Sequence, residues 1–390
     1  MGKRIILVDT TTWLGHHEPY FLAYTKVFLE LGFEVTALCL DSNKVKESFP
    51  EAISNDRLKI ASKTLPFYQR FLFKLARILS QLRLTGFSYS QLNALFRWQQ
   101  IKNCTTENSY VFILDLQGYL CHLNSSLQKL LLPKRWAGLY VCPPKTEKLI
   151  EIGRDTIRHT SCQALGLLNE KIVEEMAQQV SHPKIIHLPD IADTRCASEF
   201  PQELLELKEK ANGRKIVLLA GLSKRHGLLN LLKLAEAMKT DPILFCAIGL
   251  VNFKGYSEAE KEYIEDQLTH GAENLFVLRD YYPPEEVLNS FFQTADVAYL
   301  CQEGFIHSSN KFTKAIHLNT PVLVSQDTLL ADRVQRYHLG RVVNPMNLLG
   351  TSEALRSLCN GFQFDTQLHQ QFLKYYSKQN LYQKLSEIFN

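Results

Sequence analysis

The sequence has no run of 18 apolar residues, so no membrane-spanning helix is expected. Its 44 Lys plus Arg against 40 Asp plus Glu leave a net charge of only +4, well short of the basic surplus that generic nucleic-acid binding draws on. The nine cysteines are scattered, odd in number and contain no Cys-x-x-Cys pair, which removes a zinc module and a disulfide framework. A reduced, cytoplasmic setting is the expectation. The first apolar run, Ile5 to Val8, stops at Asp9, too short for a signal peptide. Gly-x-Gly-x-x-Gly, Walker A, His-Glu-x-x-His and Gly-x-Ser-x-Gly motifs are all missing, and the chemistries they carry go with them. Low-complexity tracts and fixed-period repeats are missing too.

What is present is a chain of 390 residues, 45% hydrophobic and 22% charged, too long for one ordinary domain and too apolar for disorder. Short aliphatic or β-branched runs alternate with stretches of helical period, the pattern of parallel sheets covered by helices. Strands are predicted at 4–8, 34–40, 110–114, 137–141, 163–168 and 184–187. From 191 to 214 the chain turns polar and loses strand character. A second series follows at 215–219, 243–248, 275–278, 297–300, 321–324 and 341–343. The expected fold class is α/β, two Rossmann-like doubly wound domains facing across a cleft, at 1–195 and 213–361, with a helical segment at 362–390 crossing back. Cut near residue 195, the first part holds 24 basic and 18 acidic residues and the second 20 basic and 22 acidic.

In open α/β sheets, ligands bind beyond the carboxyl ends of the strands, where loops meet helix N-termini. Three loops carry chemistry there. After the first strand come Gly15, His16 and His17; the glycine permits a close ligand approach and the imidazoles exchange protons near neutral pH. A loop with capping residues is the plainer reading. The second domain opens with Gly221, Lys224, Arg225, His226 and Gly227. Two adjacent cations at a helix N-terminus oppose the local dipole, which makes them poor caps and good grips for a diphosphate, unless they are simply solvated. The third loop runs from Glu303 through Ser308, Ser309, Asn310, Lys311 and Lys314. The serines suit an N-cap whose backbone N–H groups point at an oxyanion, and the two lysines share a helix face, unless the stretch is simply a capped amphipathic helix.

These three loops, taken with the tandem domains, resemble the GT-B glycosyltransferases, most closely those of the family-4 type (glycosyl transferases group 1), over nearly the whole chain. The matching elements are Gly15-His16-His17-Glu18, the Gly221 to Gly227 turn, and Glu303 followed by Ser309-Asn310-Lys311 and Asn319-Thr320-Pro321-Val322. The resemblance implies a nucleotide-diphosphate sugar as donor, held mostly by the second domain, and an acceptor against the first. It also implies transfer with retention of configuration and without a metal, the donor being a substrate and no cofactor being needed. No Asp-x-Asp triplet occurs, which argues against the metal-dependent single-domain alternative. In these terms Glu303 orients the donor sugar, His16 or His17 works near the acceptor, and Gly15, Gly221, Lys224, Arg225, Ser308, Ser309, Asn310, Lys311 and Lys314 bind substrate.

There are departures from the family pattern. Counting from Glu303, the second acid of the Glu-x7-Glu pair is replaced by Lys311, and the alternative position holds Lys314. That acid accepts hydrogen bonds from ribose hydroxyls in the family, and lysine has no acceptor. His226 stands where a lysine is usual. Asn319 takes the place of a glycine, and Asn tolerates left-handed backbone. Two other readings stay open: a catalytically silent GT-B relative serving as a binding or scaffold subunit, and a nucleotide-sugar epimerase.

One feature is independent of the family. Between Arg57 and Thr106 there is no Asp or Glu, while nine Lys and Arg accumulate with interleaved aromatics such as Phe67, Tyr68, Phe71 and Phe73. Such a stretch suits an anionic membrane surface, placing a lipid-linked acceptor within reach. Core helices with solvated basic faces, or a grip on a phosphorylated acceptor, are the alternatives.

Overall fold

Ile5, Ile6, Leu7 and Val8 are each at most 2% exposed, because a parallel strand with helices on both faces has no solvent side. They belong to β1 (Arg4–Asp9), an inner strand of a seven-stranded sheet with β2 (Glu34–Cys39), β3 (Leu58–Ile60), β4 (Ser109–Ile113), β5 (Trp136–Tyr140), β6 (Cys162–Leu167) and β7 (Lys184–His187). The order is β3-β2-β1-β4-β5-β6-β7, and every pairing is parallel. The computed structural model describes residues 3–10, 17–61, 67–81, 88–281 and 283–389, apart from the side chains of residues 69, 70, 77, 79 and 80. Among the described residues, no helix is long and apolar enough to cross a membrane.

The second sheet contains β8 (Lys215–Ser223), β9 (Ile243–Asn252), β10 (Leu275–Arg279), β11 (Val297–Leu300), β12 (Val322–Ser325) and β13 (Gly340–Val343). Its order is β10-β9-β8-β11-β12-β13, again all parallel. Both sheets are doubly wound α/β, as the alternation of the sequence implies. The three-residue β3 escaped the sequence reading because Leu-Lys-Ile is too short to show a period. β8 and β9 also run past their expected ends. A register shift beside Gly221 carries the β8 ladder on to Ser223 opposite Asn252.

Two compact units result, Met1–Pro189 with Lys378–Asn390, and Asp190–Ser377. The stretch expected to be a junction, 191–214, therefore belongs wholly to the second unit. Helix Gln202–Ala211 buries Leu204, Leu207 and Ala211 in the core with Phe291, Phe312 and Phe372, a stripe at helical spacing inside a polar segment. Further upstream, Asn310 Nδ2 donates to Ile191 O at 2.7 Å and Asn289 Nδ2 to Arg195 O at 2.7 Å. The expected C-terminal segment is likewise divided. Helix Thr366–Tyr375 contributes Phe372 to the second core, whereas helix Lys378–Phe389 belongs to the first unit. There the Phe389 ring meets Phe28, Phe33, Tyr110 and Phe112 at centroid distances of 5.6, 5.9, 5.4 and 6.1 Å.

In each unit the chain winds one way from a central strand and then the other. The direction changes between β1 and β4 in the first sheet and between β8 and β11 in the second. Loops diverge at such switch points and leave a crevice beyond the strand ends. The three candidate loops lead from β1, β8 and β11.

Candidate functional site

In the second unit, β8 passes into a single turn at Lys224–His226 and then helix Leu228–Ala237, with Gly227 between them at φ 81. A Cβ on Gly227 would stand 2.5 Å from Cys301 O and 3.2 Å from Tyr299, so the turn is pressed against the end of β11. Glu303 N donates to Arg225 O at 3.0 Å, joining the two loops directly. Gly221 has φ +100, and a Cβ there would come within 2.9 Å of both His226 Nδ1 and Lys311 Nζ. The missing side chain lets His226 and Lys311 pack directly against the strand at Gly221.

This corner is cationic. Lys311 Nζ donates to Ala220 O at 2.5 Å and lies 3.5 Å from His226 Nε2. Burial, with Arg225 and Lys314 nearby, lowers the Lys311 ammonium to a pKa of about 8. Burial, Lys311 and Arg225 push His226 down to about 3, so its ring is neutral. Accepting from the ammonium at Nε2 leaves the proton on Nδ1, which then donates to Ser223 Oγ at 2.8 Å. The Arg225 guanidinium stands 5.4 Å from the centre of the Phe305 ring. Its charge, added to burial, also lowers His307.

Glu303, tied to Arg225 through its backbone, accepts at Oε1 from Asn230 Nδ2 at 3.2 Å. Burial raises its pKa against the pull of Lys224, and Glu260 adds to the rise. Lys224 is turned toward the loop after β9. It donates to Gly255 O at 2.8 Å and sits 3.7 Å from Glu260 and 5.4 Å from the Tyr256 ring centre.

The remaining candidates of this unit have structural partners. Lys314, 1% exposed, donates to Glu285 Oε1 at 2.6 Å. Ser308 donates to Asp190 Oδ2 and accepts from Arg333 Nη1, both at 2.5 Å. Ser309 is the N-cap of helix Asn310–His317 but makes no side-chain cap bond, a departure from the capping pair expected of the two serines. Asn319 adopts φ 61, the left-handed conformation foreseen where a glycine is usual. Asp190, Asn230 and Arg333 escaped the sequence reading, since no motif links residues that far apart.

In the first unit, Gly15 and His16 lie outside the described residues. His17 opens helix His17–Glu30, and its Nδ1 lies 2.8 Å from Asp9 Oδ2 at the end of β1. Burial disfavours its charge, yet the Asp9 bond and the nearby Asp115 carboxylate outweigh burial and raise its pKa above the usual 6.5. Asp115 follows β4 and is itself raised by burial. Beside them the Thr10 and Tyr119 hydroxyls are 2.8 Å apart. A carboxylate-held imidazole with a raised pKa can donate a proton to, or take one from, an oxygen. Asp9 and Asp115 give no signal in sequence, since each is an isolated acid at a strand end.

No protein-family model and no curated protein matches the sequence. Solved structures do match over the full length. A UDP-forming α,α-trehalose-phosphate synthase from Burkholderia xenovorans is 12% identical, covering 100% of this chain and 99% of that one, with a TM-score of 0.69. A structure of the B. xenovorans synthase with glucose-6-phosphate is 13% identical, covers all of both chains and has a TM-score of 0.63. The E. coli trehalose-6-phosphate protein bound with UDP-2-fluoro glucose is 13% identical, covering 99% and 98%, with a TM-score of 0.65. The chain has the GT-B fold. Its structural neighbours are glycosyltransferases, and within this fold the cluster of Arg225, His226 and Lys311 lies at the strand ends of the second Rossmann-like unit, the Asp9–His17 pair at those of the first.

Proposed function

We propose that this chain is a glycosyltransferase that moves a sugar from a nucleoside-diphosphate sugar to a carbohydrate acceptor. One observation carries the reading: Arg225, Lys311 and the Cβ-free Gly221 gather at the switch point of the second unit, beside Glu303. The full-length likeness to UDP-forming synthases, one neighbour holding a UDP sugar and another glucose-6-phosphate, supports it.

In the reaction the bond from the anomeric carbon to the diphosphate oxygen breaks and a bond to an acceptor oxygen forms. The acceptor hydroxyl loses its proton, and the nucleoside diphosphate leaves with the negative charge. Arg225 and Lys311 stabilise that charge as it develops, the guanidinium through paired donors and the ammonium as a point charge. Lys311 thus takes over the family's ribose-binding position for phosphate contact. Glu303, steadied by Asn230, orients the sugar hydroxyls. His17, held by Asp9, serves the acceptor side. Retention of configuration and independence of metal follow from the resemblance, and the scattered cysteines fit a cytoplasmic place of work.

An epimerase would need carboxylates free to meet the sugar. Glu260 and Glu285, the acids adjoining the candidate residues, are ion-paired to Lys224 and Lys314. Titration calorimetry with a panel of nucleoside diphosphates tests the proposal. Binding of one member, weakened roughly 10- to 100-fold by Arg225→Ala and less by Lys224→Ala, is the expected result. No binding to any member would leave the silent scaffold as the better account.

A further inference from the structure

Helix Phe67–Gln81 exposes six large apolar side chains: Phe67 at 77%, Tyr68 at 61%, Leu72 at 58% and Phe71 at 57%, followed by Ile78 and Leu75. Their spacing of three and four residues puts them on one side of the helix. The helix is held from the other side, where the Phe73 ring meets Phe96 edge-on at 5.0 Å and Phe73 and Ala76 pack on the core around Trp98. The exposed side is therefore additional to the face that folding buries. Water-facing patches of this kind are rare on monomers and mark a surface that something covers.

Charge says what covers it. The segment from Arg57 to Thr106 holds nine Lys and Arg and no acid, and Arg70, Lys74 and Arg77 recur at helical spacing in the sequence. Lys74 is exposed beside the apolar side chains. Arg97, by contrast, donates inward to Gly118 O. Lys63, Arg83 and Phe87 of this segment lie outside the described residues. A second copy would oppose its own cations across a two-fold axis. Aromatic and aliphatic groups next to lysine and arginine match a lipid surface, where rings insert at headgroup depth and cations meet anionic lipid.

We propose that the outward side of helix Phe67–Gln81 docks in the plane of an anionic bilayer, with Phe67, Tyr68, Phe71, Leu72, Leu75 and Ile78 inserted. The docking is independent of the transfer reaction, and its test uses no nucleotide. The full chain is floated with vesicles of phosphatidylcholine alone and of equal parts phosphatidylcholine and phosphatidylglycerol. The expected result is recovery with the anionic vesicles, weakened by salt, and much lower recovery with phosphatidylcholine alone. Phe71→Ser with Leu75→Ser, both facing water, should lower vesicle affinity at least tenfold while circular dichroism and melting stay unchanged. Lys74→Glu should weaken binding to the anionic vesicles only. Failure of the wild-type chain to float, or equal flotation of the double variant, overturns the proposal. So does a wild-type dimer, seen by sedimentation, that the double variant dissolves while neither form floats.

Discussion

If Lys311 grips a diphosphate, binding must be coupled to proton uptake. In the free protein its pKa is about 8, against an ordinary value of 10.5, because burial and the neighbouring cations Arg225 and Lys314 disfavour its charge. The sign follows from linkage. The unfolded chain holds this proton more tightly, so the contribution of Lys311 to stability rises with pH from about 8 toward 10.5. A dianionic ligand reverses the balance and returns the pKa toward its ordinary value. Near pH 8 half the free molecules carry the proton, so binding takes up about half a proton, rising to roughly 0.9 near pH 9 and falling to about a tenth near pH 7. Affinity then drops about tenfold between pH ~7 and ~9. Calorimetry in buffers of different ionisation enthalpy reads the proton count directly. Lys311→Met should remove the pH dependence above neutrality and weaken binding by about 1.5–3 kcal/mol at pH ~7. Intact affinity without proton uptake, or a Lys311→Met variant that binds as well as the parent, would refute the assignment.

Further perturbations probe other parts of the structure. Gly221→Ala places a Cβ at φ +100, 2.9 Å from Lys311 and His226; it should cost about 1–3 kcal/mol in melting experiments and weaken nucleotide binding more than tenfold, and unchanged binding would argue against this corner as the site. Asp9→Asn should lower the His17 pKa, read by NMR titration of its imidazole. Because that pKa now lies above 6.5, the Asp9 pair contributes stability fully below pH 6.5 and loses it as pH rises through the folded value, so the variant's deficit in urea unfolding should shrink toward alkaline pH. Phe389→Ala removes a ring in contact with four others and should destabilise the first unit by about 3–5 kcal/mol; unfolding at the parent's urea midpoint would show that the terminal helix contributes little.

Much of the fold is legible because both sheets are parallel and buried, and buried parallel strands announce themselves as short aliphatic runs. Twelve of the thirteen strands fall where those runs are. What stays hidden is whatever depends on partners far apart in the chain. Helix Gln202–Ala211 reads as a polar linker until its Leu204 and Leu207 meet the core of the second sheet. Ser308 reads as a cap, yet it bridges Asp190 and Arg333 from segments 118 and 25 residues away.

The candidate site divides in the same way. Composition and motif spacing singled out Gly221, Lys224, Arg225, Glu303 and Lys311, because glycines and cations at strand ends carry chemistry wherever such folds occur. Only the packed structure decided which partner each of these cations meets. It turned Lys224 to Gly255, buried Lys314 against Glu285, and left Lys311 beside a neutral histidine with its proton loosely held. Residue type is a property of the chain alone, whereas a side chain's charge state and direction are set by the groups that folding brings around it.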